Sequence, residues 1–181
     1  MSEITSEELN SIIKSHLDPR RYEHTLRVLD MALEMGKIFD ADSEKIRIAA
    51  LFHDYCKDGS RESNALSHAG EAADILKYRY GVIDEDILNA VRYHTTGRKD
   101  MSTLELIIFL ADTLEYGRTY DGVNDLRKEA YADLHACCLN VLKELKIYLE
   151  KNDLAMTRDS IEAIEWLETI KKGEGIERSN T

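Results

Sequence analysis

The chain has 181 residues, enough to bury a substantial core without disulfide or metal staples. Its 24 Lys and Arg against 35 Asp and Glu give a net charge of −11, which argues against a whole-chain grip on a nucleic-acid polymer. Nine Gly and one Pro are too few for a sandwich or barrel of many short, turn-linked strands, so helices are expected.

Helix signals recur along the chain. Thr5-Ser6-Glu7-Glu8 reads as a capping box before a short first helix. Asp18-Pro19 places a cap and then Pro at the first helical position, opening a helix to about Phe39. Asp42 or Ser43 caps the next, which carries Ile46, Ala49, Ala50 and His53 on one face. Ser67 caps a helix to about Tyr80, stopped by Gly81, and Asp84 starts one that ends near His94. Ser102 and Glu105 form a second capping box, opening an apolar helix to about Tyr116. Gly122 to Lys151 is one long amphipathic stretch with room for a single break, and Thr157 caps a last helix to about Lys172. The reading is a single-domain all-α bundle over residues 1–172, with 173–181 a frayed tail.

Three cysteines, two of them adjacent (Cys137 and Cys138), cannot make a disulfide framework and fit a reducing compartment. The start is acidic and polar, without a signal-type apolar core, and the longest apolar run, Leu106 to Ala111, falls far short of the ~18 residues of a membrane span. A soluble, cytoplasmic protein with no membrane partner is expected. Leu134, Leu139, Leu142, Leu145 and Leu149 line one side of the long stretch and suit either the core or a homodimer face.

The informative positions are polar residues on faces that otherwise read as core. His53 and Asp54 end the stripe of Ile46, Ala49 and Ala50; Asp112 follows the apolar run 106–111; His24 stands one turn before Val28. Each has a bland reading: a helix leaving the core, an Asp paired with Arg118, a histidine bonded to a carbonyl. His94 ends its helix, where the dipole favours a cation, whereas His68 sits in a first turn that disfavours one. A buried carboxylate is expensive unless something cationic meets it. A metal site in the middle of the bundle would satisfy all of these groups together. Imidazole and carboxylate donors without cysteine suit iron, manganese, cobalt or zinc in a hydrolytic rather than a purely structural site. Cys56, between Asp54 and Lys57, reads as packing.

The order His24, His53-Asp54, Asp112 resembles the HD-superfamily metal-dependent phosphohydrolases. The segments Arg21-Tyr-Glu-His-Thr25, Ala49-Ala-Leu-Phe-His-Asp-Tyr-Cys-Lys57, Arg92-Tyr-His-Thr-Thr-Gly97 and Leu110-Ala-Asp-Thr-Leu-Glu-Tyr-Gly-Arg118 are similar to one bacterial branch. That branch is the YqeK-like symmetrical hydrolases of bis(5′-nucleosyl) tetraphosphates. The motif core covers about 18–127. The resemblance implies that His24, His53, Asp54 and Asp112 hold one divalent ion. Asp54 would bridge to a second ion held by His68 and His94, with iron the metal most suggested and manganese or cobalt as alternatives. It implies Lys57 near the scissile phosphate, Arg118 in the nucleotide pocket, and Thr95, Gly97 and Arg98 along the substrate.

A chain of net charge −11 that binds a polyphosphate needs a local positive focus, which two dications with Lys57, Arg92, Arg98 and Arg118 would supply. A metal-activated water would then attack phosphorus in line, releasing two ADP from diadenosine tetraphosphate. Two alternatives stay open at this stage. One is an HD-type nucleotidase or cyclic-nucleotide phosphodiesterase; the other is a non-catalytic nucleotide-sensing domain.

Overall fold

A helix starts with four unpaired backbone N–H groups, and here side chains take them over. The computed structural model describes residues 4–57 and 67–179, the side chains as far as 172. Thr5 and Glu8 cap each other's backbone N–H at the head of α1 (Ser6–His16). Asp18 accepts from the Arg20 and Arg21 N–H groups to open α2 (Pro19–Ile38), with Pro19 pre-set for the first turn. Asp42 does the same for α3 (Ser43–Phe52). The fourth helix, α4 (Ser67–Tyr80), begins at Ser67 itself, and the residue before it lies outside those described. Gly81 ends α4 with φ 76°. Asp84 caps α5 (Glu85–Arg92), and the Ser102–Glu105 box caps α6 (Thr103–Leu114).

The long stretch expected from Gly122 is two helices, α7 (Val123–Ala132) and α8 (Leu134–Lys151). One residue makes the break. Asp133 donates its N–H to the Glu129 carbonyl at 2.8 Å and turns extended, and its carboxylate accepts the Ala136 N–H at 2.9 Å. The last helix, α9 (Arg158–Ser179), starts at the Thr157 cap. Its backbone continues seven residues past the expected end at Lys172, through a segment without proline, at a glycine cost of about 1 kcal/mol each. Residues 180–181 lie outside those described.

The sixth helix is the spine. Every residue from Leu104 to Ala111 is buried, and α6 packs against α2, α3, α5, α7 and α8. Among the described residues there is no strand. Glu105 is buried too, and two 2.6 Å bonds from Arg98 satisfy its carboxylate. Leu134, Leu139 and Leu142 belong to the core, whereas Leu145 and Leu149 are half-buried. Cys137 and Cys138 are buried and free. No helix of the described residues is long and apolar enough to cross a membrane.

The α2–α3 contact is close because Gly36 lacks a side chain. A Cβ there would stand 2.3 Å from Ile46 Cδ1. Gly36→Ala should therefore destabilise the protein by about 1–3 kcal/mol in urea unfolding. On an Ile46→Val background, which removes Cδ1, the same substitution should cost clearly less.

Candidate metal centre and substrate cleft

Five helices deliver their polar residues to one point. His24 comes from the second turn of α2, His53 and Asp54 from the turn that ends α3, and His68 from the first turn of α4. His94 comes from the turn after α5, and Asp112 from the last turn of α6. Asp54 and His53 are fully buried, and His68 and His94 nearly so.

The two oxygens of Asp54 face different partners. Oδ2 lies 3.9 Å from His24 Nε2 and 3.7 Å from His53 Nε2. Asp112 Oδ1 closes that group at 3.0 Å from His24 Nε2 and 3.9 Å from His53 Nε2. The other oxygen, Oδ1, lies 3.5 Å from both His68 Nε2 and His94 Nε2, which are 3.3 Å apart. Donors about 2.0–2.2 Å from one ion stand roughly 3.0–3.6 Å from each other. Both groups are close to that spacing.

The imidazoles are turned to present Nε2. Nδ1 of His53 bonds the Ala50 carbonyl and Nδ1 of His94 the Val91 carbonyl, each at 2.7 Å, while Nδ1 of His24 faces Glu115 Oε1 at 3.3 Å. An Nδ1–H donated in this way leaves a bare lone pair on Nε2. Nε2 of His24, Nε2 of His53 and Oδ1 of Asp54 are buried and have no hydrogen-bond partner among the described residues. Burial pushes His53 down to about 4, so it is neutral at ordinary pH. For Asp54 burial acts to raise the carboxyl, but the imidazoles of His53, His68 and His94 beside it outweigh burial and hold it well below the usual range. Asp112 is likewise lowered: burial opposes, and the neighbouring imidazoles of His24 and His53 prevail. The Nε2 atoms of four imidazoles thus gather around the carboxylates of Asp54 and Asp112. A divalent first-row metal fits this nitrogen and oxygen donor set.

Three further residues shape the site. Arg21 Nη1 bonds Asp54 Oδ2 at 2.8 Å. Glu115, only 3% exposed, braces His24 and is itself held by Arg27 Nε at 2.5 Å and the Gly117 N–H at 2.6 Å. These pairs span 33 and 88 residues of chain, so local spacing could not reveal them. A Cβ on Gly117 would stand 2.7 Å from Arg27 Nε, so the brace needs glycine there.

Two clefts open on this centre. One, of about 650 Å³, is cationic: Arg20, Arg21, Arg27, Lys57 and Arg118 line it beside His24 and Asp54. Lys57 Nζ lies 3.4 Å from Asp54 Oδ1, and Arg118 Nη2 lies 3.2 Å from Asp112 Oδ1. The other, of about 580 Å³, runs from His94 and Asp112 between Phe109, Tyr120, Val141 and Tyr148, and Arg118 lines both. Thr95 borders this second cleft with a buried hydroxyl that has no partner among the described residues.

Two expected substrate contacts are not brought here. Arg98 is committed to buried Glu105, and Gly97, at φ 63°, packs by Met101 and Ala163. Neither lines a cleft at the centre, because the chain turns away from it after Thr96 to reach the α6 cap.

The HD domain family matches residues 21–117, which include His24, His53, Asp54, His68, His94 and Asp112. A symmetrical bis(5′-nucleosyl)-tetraphosphatase of Bacillus subtilis (strain 168) is 36% identical over 89% of this chain and 96% of its own length. One from Halalkalibacterium halodurans is 34% identical over 83% and 90%. A crystal structure of a predicted HD superfamily hydrolase involved in NAD metabolism, from Clostridium acetobutylicum, superposes with a TM-score of 0.82. It is 30% identical and covers 93% of this chain and 99% of its own.

Carboxylate partners of metal-bound histidines are worth about 10–100-fold in metal affinity. Glu115→Gln should weaken manganese binding by that factor in calorimetric titration, with the fold intact by circular dichroism.

Proposed function

The chain belongs to the HD domain family, and from that premise we propose that it is a metal-dependent phosphohydrolase that splits a bis(5′-nucleosyl) tetraphosphate into two nucleoside diphosphates. The observation that carries this reading is the pair of donor groups divided by the two oxygens of Asp54. His24, His53 and Asp112 with Oδ2 would hold one divalent ion, and His68 and His94 with Oδ1 a second, with iron the favoured metal and manganese or cobalt as substitutes. Such ions, when bound, lower the pKa of water and draw charge from a phosphoryl oxygen.

The chain's own residues do the rest. A tetraphosphate carries about four negative charges, and the −11 protein must reverse its own field locally to receive it. Arg20, Arg21, Arg27, Lys57 and Arg118 do so in the cationic cleft. Lys57, 3.4 Å from Asp54 Oδ1, would neutralise the oxygen that departs when the central P–O bond breaks. The water oxygen bonds to phosphorus, and the departing phosphate leaves as the second diphosphate. The apolar cleft takes one nucleoside between Phe109, Tyr120 and Tyr148, and Arg118 at its mouth spans base and phosphate. Catalysis here needs no side-chain nucleophile.

Diadenosine tetraphosphate should give ADP alone, read by chromatography. AMP with ATP, or preferred release of phosphate from a mononucleotide, would contradict the reading. Asp54→Ala should lose bound metal and turnover together, by elemental analysis and rate. Lys57→Ala should keep its metal and lose kcat by about 10²–10³, the usual scale for a lost charge-stabilising donor.

A further inference from the structure

The substrate proposed above has two identical ends, and the apolar cleft accounts for one. A third cavity, of about 320 Å³, adjoins the cationic cleft: the two share Asp18, Arg21 and Lys57. This cavity shares no described lining residue with the apolar cleft. The three are therefore contiguous in one order, with the cations and Asp54 in the middle and a pocket at either end.

The wall of this cavity is the end of an aromatic ladder. Phe52 stacks on Tyr55 with centroids 4.3 Å apart and planes at 11°, and Tyr55 stacks on His16 at 4.1 Å and 14°. Phe52 and Tyr55 are buried, and His16 is the exposed last rung. Its Nε2 lies 3.1 Å from the Tyr55 carbonyl, which holds the ring in register with the stack. Four of the six histidines converge on Asp54, and His16 is not among them. Cys56 completes the wall with a half-buried, polarisable thiol. An aromatic plane next to two phosphate-reaching cations is the pairing by which a base and its phosphates are held together.

We infer that this cavity seats the second nucleoside, its base continuing the ladder on His16, so that a substrate with two equal halves is bound by two unlike pockets. The inference rests on the tetraphosphatase reading and deepens it. It makes His16 a specificity residue for the dinucleoside form of the substrate, remote from the reacting atoms.

The test compares diadenosine tetraphosphate with adenosine 5′-tetraphosphate, which has only one nucleoside. The readout is the ratio of their kcat/KM values in the metal-loaded enzyme. Removing a base-stacking ring costs roughly ten-fold in binding, so His16→Ala should lower this ratio about ten-fold. His16→Phe, which restores a plane without the imidazole, should recover most of it. Thermal melting of both variants checks the α1 anchor. A ratio unchanged in His16→Ala overturns the second seat. So does an equal loss on both substrates, which would mark His16 as structural. The wild-type products separate this inference from the reading beneath it. If the enzyme does not yield two ADP, both fall; if it yields two ADP and the ratio ignores His16, only the second seat falls.

Discussion

A fully buried carboxylate between four imidazoles organises this molecule. Asp54 cannot stay ionised in the interior unless cations meet both of its oxygens, because an uncompensated buried charge costs several kcal/mol. The Arg21 guanidinium meets one oxygen directly and Lys57 approaches the other. Around them stand four imidazole Nε2 atoms, and contacts at Nδ1 orient the rings of His24, His53 and His94.

Around that centre the protein separates two kinds of chemistry. Arginines and Lys57 form a positive cleft in a chain whose total charge is strongly negative, and aromatic and aliphatic side chains of α6 and α8 form an apolar one. The negative remainder of the surface repels polyanions elsewhere, so the field funnels a phosphate chain toward the centre. Glu115 ties the two parts together: one carboxylate orients His24 for the metal and fixes Arg27 at the phosphate cleft.

Much of this was legible from sequence, for local reasons. Capping is a short-range interaction, so Thr5, Asp18 and Ser102 mark helix starts to the residue, and Asp42 or Ser43 to within one. His24 and Asp112 stood out because periodicity assigned them to faces that otherwise bury apolar groups. The break at Asp133 was harder: a single aspartate closes one helix and caps the next, with no Gly or Pro to announce it. Long-range pairing was not legible at all. Arg98, expected along the substrate, is held instead by Glu105, which is both helix cap and buried ion-pair acceptor. Arg21, Arg27 and Glu115 take their roles from partners 33 to 91 residues away. Such roles follow from how α2 packs on α6, which no local spacing encodes.

The account stands on Asp54 dividing two metal positions. Anomalous diffraction from crystals grown with manganese tests this most directly. The account predicts two peaks, one within bonding distance of Asp54 Oδ2, His24, His53 and Asp112, the other of Asp54 Oδ1, His68 and His94. Manganese bound elsewhere, with Asp54 paired only to Arg21 and Lys57, would contradict it.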